Sequence, residues 1–156
     1  MLTMVDMTSE SRRYVQPGWF TRRVFNGLVG WLTRLGVSVW GSRVLEVTGR
    51  KSGLPRRNPV NLLHFDGADY LVAPRGETEW VRNVRAADGR LALLLGRRRE
   101  ERTATEVTGD DRIPVLRSYL KRWKMEVGVF FDGVSAGSSD AELAAEADKH
   151  PVFRLN

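Results

Sequence analysis

The residues in this chain best suited to chemistry by type and spacing form one short run, Thr48-Gly49-Arg50-Lys51-Ser52-Gly53, set between a predicted strand and Pro55. Its two glycines permit backbone bends that turn several N–H groups toward one point, and Arg50, Lys51 and the Ser52 hydroxyl add charge and donors there. Such a turn is a cradle for phosphate or carboxylate. It is not a Walker loop, because the glycine spacing differs and no helix follows the lysine. The competing reading is a basic hairpin tip that only keeps the protein soluble. More cations can converge on the same place: Arg56 and Arg57 flank the turn, Arg75 ends a predicted strand, and Arg82 and Arg85 share one side of a predicted helix. Asn58 and Asn83 are the nearest neutral polar groups, suited to the edge of a planar heterocycle. Gly76 with Thr78 could open a helix N-terminus to an anion.

The rest of the composition narrows the chemistry. There is no Cys, which removes disulfides, thiolate ligands and cysteine nucleophiles together. His64 and His150 are the only imidazoles, too few for a histidine-rich metal centre, so no metal site is expected and a Ser-His-Asp triad has little to work with. Tyr70 and Tyr119 are the phenols of the folded body, and neither is assigned as a proton donor. Glu46 and Glu106 lie in predicted strands and read as ion-paired. With 25 Lys+Arg against 19 Asp+Glu the formal net charge is +6, so a partner found by long-range attraction is anionic: nucleic acid, phosphorylated cofactor or acidic lipid. Nucleic acid is set aside despite a pI near 10.3, because the aromatics fall at core spacing and do not interleave with the arginines as a stacking platform would.

These groups need a frame, and 156 residues with 42% apolar and 28% charged side chains allow one globular domain. Residues 1–16 read as a flexible polar tail and 17–41 as an amphipathic helix with its linker. Pro17 suits the helix start and Gly36 its stop. Phe20, Val24, Phe25, Leu28, Trp31, Leu32 and Leu35 share one arc, with Arg22, Arg23 and Arg34 opposite. This helix either packs on its own domain or lies on an anionic membrane surface. Its uncharged run, Val24 to Thr33, is well short of the roughly 18 residues a span needs, and no secretory signal precedes it. A cytoplasmic location is expected, with attachment at the inner face of the membrane as the variant.

From residue 42 to 156 the pattern changes to short apolar runs separated by turns. Strands are predicted over Arg43–Thr48, Asn58–Phe65, Tyr70–Ala73, Leu91–Leu95, Arg99–Val107 and Val152–Leu155, with helices over Glu77–Ala87, Asp110–Lys124 and Ser139–Lys149. Ser139 and Glu142 have the spacing of a capping box. Five or six antiparallel strands with few helices predict a mainly β, α+β domain, a small barrel that closes its own edges.

Three blocks then carry a resemblance: Thr48-Gly-Arg-Lys-Ser-Gly-x-Pro-Arg-x-Asn-Pro59, Leu71-Val-Ala-Pro-Arg-Gly76 and Trp80-x-x-Asn83-x-Arg85-Ala86. Together they resemble the deazaflavin-dependent nitroreductase and quinone-reductase family of actinobacteria, over residues 43–108 and more weakly in the leader and final strand. The resemblance implies an FMN-binding-like split β-barrel that binds coenzyme F420, a deazaflavin with a phosphodiester and an oligoglutamate tail, with FMN ranking second. It implies hydride transfer from the reduced cofactor to an electron-poor acceptor such as a quinone or a nitro compound, with the proton drawn from water and no catalytic side chain assigned. By position, Gly49, Arg50, Lys51, Ser52 and Gly53 would hold the phosphate or tail, and Arg56, Asn58 and Pro59 would line the cofactor groove. Ala73, Pro74, Arg75 and Gly76 would lie along the deazaflavin, with Trp80 and Asn83 on the following helix. The chain departs from the family in a shorter loop between Gly76 and Trp80 and in lacking the late tyrosines of the substrate pocket. Trp123, Phe130 and Phe131 are the aromatics available instead. The alternative is a non-catalytic lipid or flavin carrier on the same fold; monomer and homodimer are both compatible.

Overall fold

A computed structural model describes residues 41–156, with backbone alone at 124–126 and 129; the expected tail and amphipathic helix lie outside the described residues. The described chain divides into two compact units. A sheet unit comprises residues 41–71, 79–105 and 153–156, and a helical unit comprises 72–78 and 106–152.

The strands are β1 (Ser42–Thr48), β2 (Pro55–Asn61), β3 (Leu63–Phe65), β4 (Ala68–Val72), β5 (Arg90–Leu95), β6 (Arg98–Glu106) and β7 (Val152–Leu155). They form one seven-stranded sheet in the order β2-β1-β5-β6-β7-β4-β3, and the β1–β2, β1–β5, β3–β4 and β5–β6 pairs are antiparallel. β2 and β3, the two ends of that order, are consecutive in sequence with Leu62 alone between them. A flat sheet of this width would hold its edges about 29 Å apart, whereas two Cα steps reach at most about 7.6 Å. The sheet must therefore curl.

Sequence explains each strand's place. β5 is almost wholly apolar, and Leu91, Ala92, Leu93 and Leu95 are buried, as an inner strand requires. β1 buries Leu45 and Val47 but turns Glu46 away. β2 carries Pro55 and Pro59, which donate no backbone hydrogen bond and are tolerated at a sheet edge. Asp66 and Gly67 both adopt positive φ (50° and 76°), which gives the two-residue turn that joins β3 to β4. The single strand expected over Asn58–Phe65 is in fact β2 and β3, because the chain passes from one sheet edge to the other at Leu62, whose N–H is held by the Gly41 carbonyl at 2.9 Å. That break raises the count from five or six strands to seven.

Helix α1 (Glu79–Ala86) belongs to the sheet unit and starts two residues later than its pattern suggests. It buries Trp80, Val81, Asn83 and Val84, and Trp80 packs on Phe153 at a ring separation of 6.0 Å. The helical unit is built on α2 (Arg112–Val127) and α3 (Asp140–Ala147). α2 buries Val115, Leu116, Tyr119, Leu120, Trp123 and Val127, and departs from helical geometry at Trp123. The expected capping box at α3 is present: the Glu142 N–H donates to Ser139 Oγ, and the Ser139 N–H donates to the Glu142 carboxylate.

Candidate functional site

In the sheet unit the turn after β1 closes on itself. The Gly49 N–H donates to the Leu54 carbonyl at 2.8 Å, and the Gly53 N–H to the Gly49 carbonyl at 2.9 Å. Gly53 has φ +74°, so its lack of a Cβ is needed there. A Cβ on Gly49 would stand 2.8 Å from Ser52 Oγ and 3.1 Å from Arg56 Cγ, so the turn is packed tightly around this position. Ser52 Oγ accepts from the Leu54 N–H at 3.2 Å and from Arg56 Nη2 at 3.4 Å, which ties the tip to the first residues of β2.

α1 fixes the other side of the turn. Asn83, only 5% exposed, accepts at Oδ1 from the Arg50 backbone N–H at 3.1 Å and from Arg50 Nη1 at 2.8 Å. The same Nη1 donates to Glu79 Oε1 at 2.9 Å. The Arg50 side chain, 21% exposed, is thus held inside its own unit. Lys51 points outward beside it. Arg82 approaches Glu79 Oε2 only at 3.9 Å, and its Nε is buried with no hydrogen-bond partner among the described residues.

The local field favours anions. Glu79 has its carboxyl held below the usual carboxylate range, first by the hydrogen bond from Arg50 and then by the charges of Arg50, Lys51 and Arg82. Register puts Arg56 opposite Val47 and Asn58 opposite Leu45, so both leave β2 on the face that carries the buried β1 residues. Arg57 leaves on the other face and pairs with Glu46 at 2.9 Å. Pro59 is exposed on the same edge strand.

The remaining sequence-derived residues lie in the helical unit or the core. Ala73 is fully buried, and its N–H donates to the Pro151 carbonyl at 2.9 Å. The chain then bends through the half-buried Pro74 and Arg75 to Gly76, whose φ is +89°. Trp80 belongs to the core of the sheet unit, as described above. Trp123 and Phe131 are almost wholly covered, each against Tyr119 at ring separations of 5.1 and 6.3 Å, while Phe130 is half-exposed. Sequence reasoning missed Glu79, the acidic partner that locks Arg50. Its signal was present as the residue one helical turn before Asn83 on the same helix side.

Among the described residues no group of three or more His, Asp or Glu side chains could hold a metal ion, and no helix is long and apolar enough to cross a membrane.

A solved structure described as an F420-H2 dependent reductase is 22% identical, with 74% of this chain and 94% of that one covered at a TM-score of 0.49. One described as a domain-swapped dimer is 20% identical, with 88% and 97% covered at a TM-score of 0.53. A protein of unknown function from Agrobacterium tumefaciens is 17% identical, with 91% and 57% covered at a TM-score of 0.53. The last two likenesses show the fold, the FMN-binding-like split β-barrel class expected from the sequence. No curated protein matches the chain. The model of the F420H(2)-dependent quinone reductase family matches residues 21–134, well over half of the sequence. The chain therefore belongs to the F420H(2)-dependent quinone reductase family and is a reductase whose cofactor is coenzyme F420.

Proposed function

We propose that the Gly49–Gly53 turn receives the anionic part of F420 and that the enzyme reduces quinone-like and nitro-substituted acceptors. The observation that carries this is the buried Nε of Arg82, without a hydrogen-bond partner among the described residues, beside a carboxylate whose pKa the hydrogen bond from Arg50 and the surrounding cations already lower. A multiply charged phosphodiester and oligoglutamate tail fits that donor set, since charge-assisted hydrogen bonds are among the strongest a side chain forms.

In this reading Asn83 and Glu79 hold Arg50 and so set the shape of the turn. Lys51 and Arg56, both exposed, supply the solvent-facing cations. Gly49 leaves room for Ser52 Oγ and the Arg56 stem to pack inside the turn, and Asn58 and Pro59 continue the groove along β2. The strand end from Ala73 to Gly76 is the segment proposed to face the deazaflavin ring. Of the three late aromatics, Phe130 is the one with surface to offer an acceptor. When bound, reduced F420 supplies a hydride to an electron-poor acceptor, so the protein needs to position and shield and does not need a nucleophile. No acid or base side chain is assigned, and the accompanying proton comes from water.

The test is a fluorescence titration of the full chain with F420, followed by menadione or a nitroarene added to the reduced complex. Tight binding with oxidation of the cofactor supports the reading. Tight binding without turnover on either acceptor would leave a carrier.

A further inference from the structure

His150 is fully buried in the helical unit and has no part in the site built so far. It follows α3, and its Nε2 lies 2.9 Å from Oε2 of Glu146, one helical turn earlier. Its Nδ1 lies 3.3 Å from the carbonyl oxygen of Ala73. Phe131 stacks on the ring at a centroid separation of 3.9 Å and an interplanar angle of 22°. An imidazole held on two nitrogens and one face has a single orientation.

Its neighbours assign the proton on Nδ1. Glu146 is itself buried, and its carboxylate also accepts the Asp132 backbone N–H at 3.2 Å and the Lys149 ammonium at 3.3 Å. A backbone carbonyl can only accept, so Nδ1 donates to Ala73, and one proton lies between Nε2 and the Glu146 carboxylate. Pro151, the next residue, takes the Ala73 N–H. Two consecutive residues therefore grip both polar groups of Ala73. The same Ala73 carbonyl also accepts the Gly76 N–H at 3.2 Å, so the grip extends through the whole bend.

We infer that His150 is a positioning residue for the Ala73–Gly76 segment, acting through its Nδ1–H on the Ala73 carbonyl while Glu146 and Phe131 fix the ring. This rests on the reading that the segment faces the deazaflavin. A histidine that merely filled the core would act through its volume, and the atom it presents to Ala73 would not matter.

Asparagine and glutamine separate the two roles in the full chain. Asn places its amide nitrogen where Nδ1 stands, and Gln reaches where Nε2 stands. His150→Gln is expected to weaken F420 binding about tenfold, and to speed hydrogen exchange at the Gly76 amide about tenfold without cofactor, as loss of one buried hydrogen bond implies. His150→Asn is expected to keep both within about threefold of the unmodified protein. Identical behaviour of the two variants would overturn the inference. If neither variant folds, nitrogen-15 spectra of the unmodified protein decide: a proton on Nδ1 supports the assignment, and a lone pair there overturns it. Arg75→Ala tests the underlying reading separately. Unchanged F420 affinity in that variant removes the segment from the cofactor site, whereas the exchange rate of Gly76 judges His150 by itself.

Discussion

At the scale of single residues, the turn after β1 separates two cations that are neighbours in sequence. Arg50 is committed to Asn83 and Glu79, while Lys51 is exposed. Replacing each should have different consequences. Asn83→Ala strands the Arg50 N–H and leaves its guanidinium on Glu79 alone, and is expected to cost about 1–3 kcal/mol of folding stability, measured by urea denaturation, besides weakening F420 binding. Lys51→Ala should leave the denaturation midpoint within about 0.5 kcal/mol, as for most surface changes. Its effect belongs in the binding isotherm, as lower F420 affinity and a shallower dependence on salt. Equal salt slopes for Lys51→Ala and the unmodified protein would take the lysine out of the anion site.

At the scale of elements, the sheet is cross-tied on the face away from the buried β1 residues. Glu46 on β1 accepts from Arg57 on β2 at 2.9 Å and from Arg99 on β6 at 2.7 Å. The hydrogen bond from Arg99, ahead of that from Arg57, holds its carboxyl below the usual range. A carboxyl whose pKa falls on folding adds stability above its unfolded value near 4.5, and that contribution disappears as pH drops through the folded value. Glu46→Gln should therefore lower the urea midpoint near neutral pH, with the difference shrinking as pH falls below 4.5 and through the lowered folded value. A pH-independent difference would assign the effect to packing. Gly89 marks a second element-level constraint, the turn between α1 and β5. Its φ is +83° and an added Cβ would stand 2.1 Å from the Ala104 carbonyl oxygen. Gly89→Ala is expected to cost about 3 kcal/mol or more, because backbone and not a side chain must yield. Thermal denaturation reads this directly.

For the whole molecule, the cofactor is a lever on stability. A ligand that binds only the folded chain adds about 2.7 kcal/mol at one hundred times its Kd, which raises Tm by about 5–10 °C for a protein of this size. F420 should give that shift and FMN a much smaller one, since FMN lacks the oligoglutamate tail that the cationic turn is proposed to hold. Equal shifts with the two would take the tail out of the recognition.

Local sequence was enough for the parts whose physics is local. Alternating and near-continuous apolar runs marked β1 and β5, Asp66-Gly67 marked its two-residue turn, Ser139 and Glu142 marked the cap of α3, and three ordered blocks marked the family. Each depends on residues a few positions apart, where spacing and backbone preference decide the outcome. Tertiary structure decided what depends on distant partners. Only the strand order shows that one run, Asn58 to Phe65, must serve both edges of the sheet and so break at Leu62. Only packing shows that Arg50 faces inward to Asn83, 33 positions away, and that Trp123 and Phe131 are spent in the core. His150, one of two imidazoles in the sequence, meets Ala73 77 positions away, because burial removes water as an alternative partner and leaves its ring to groups of the fold.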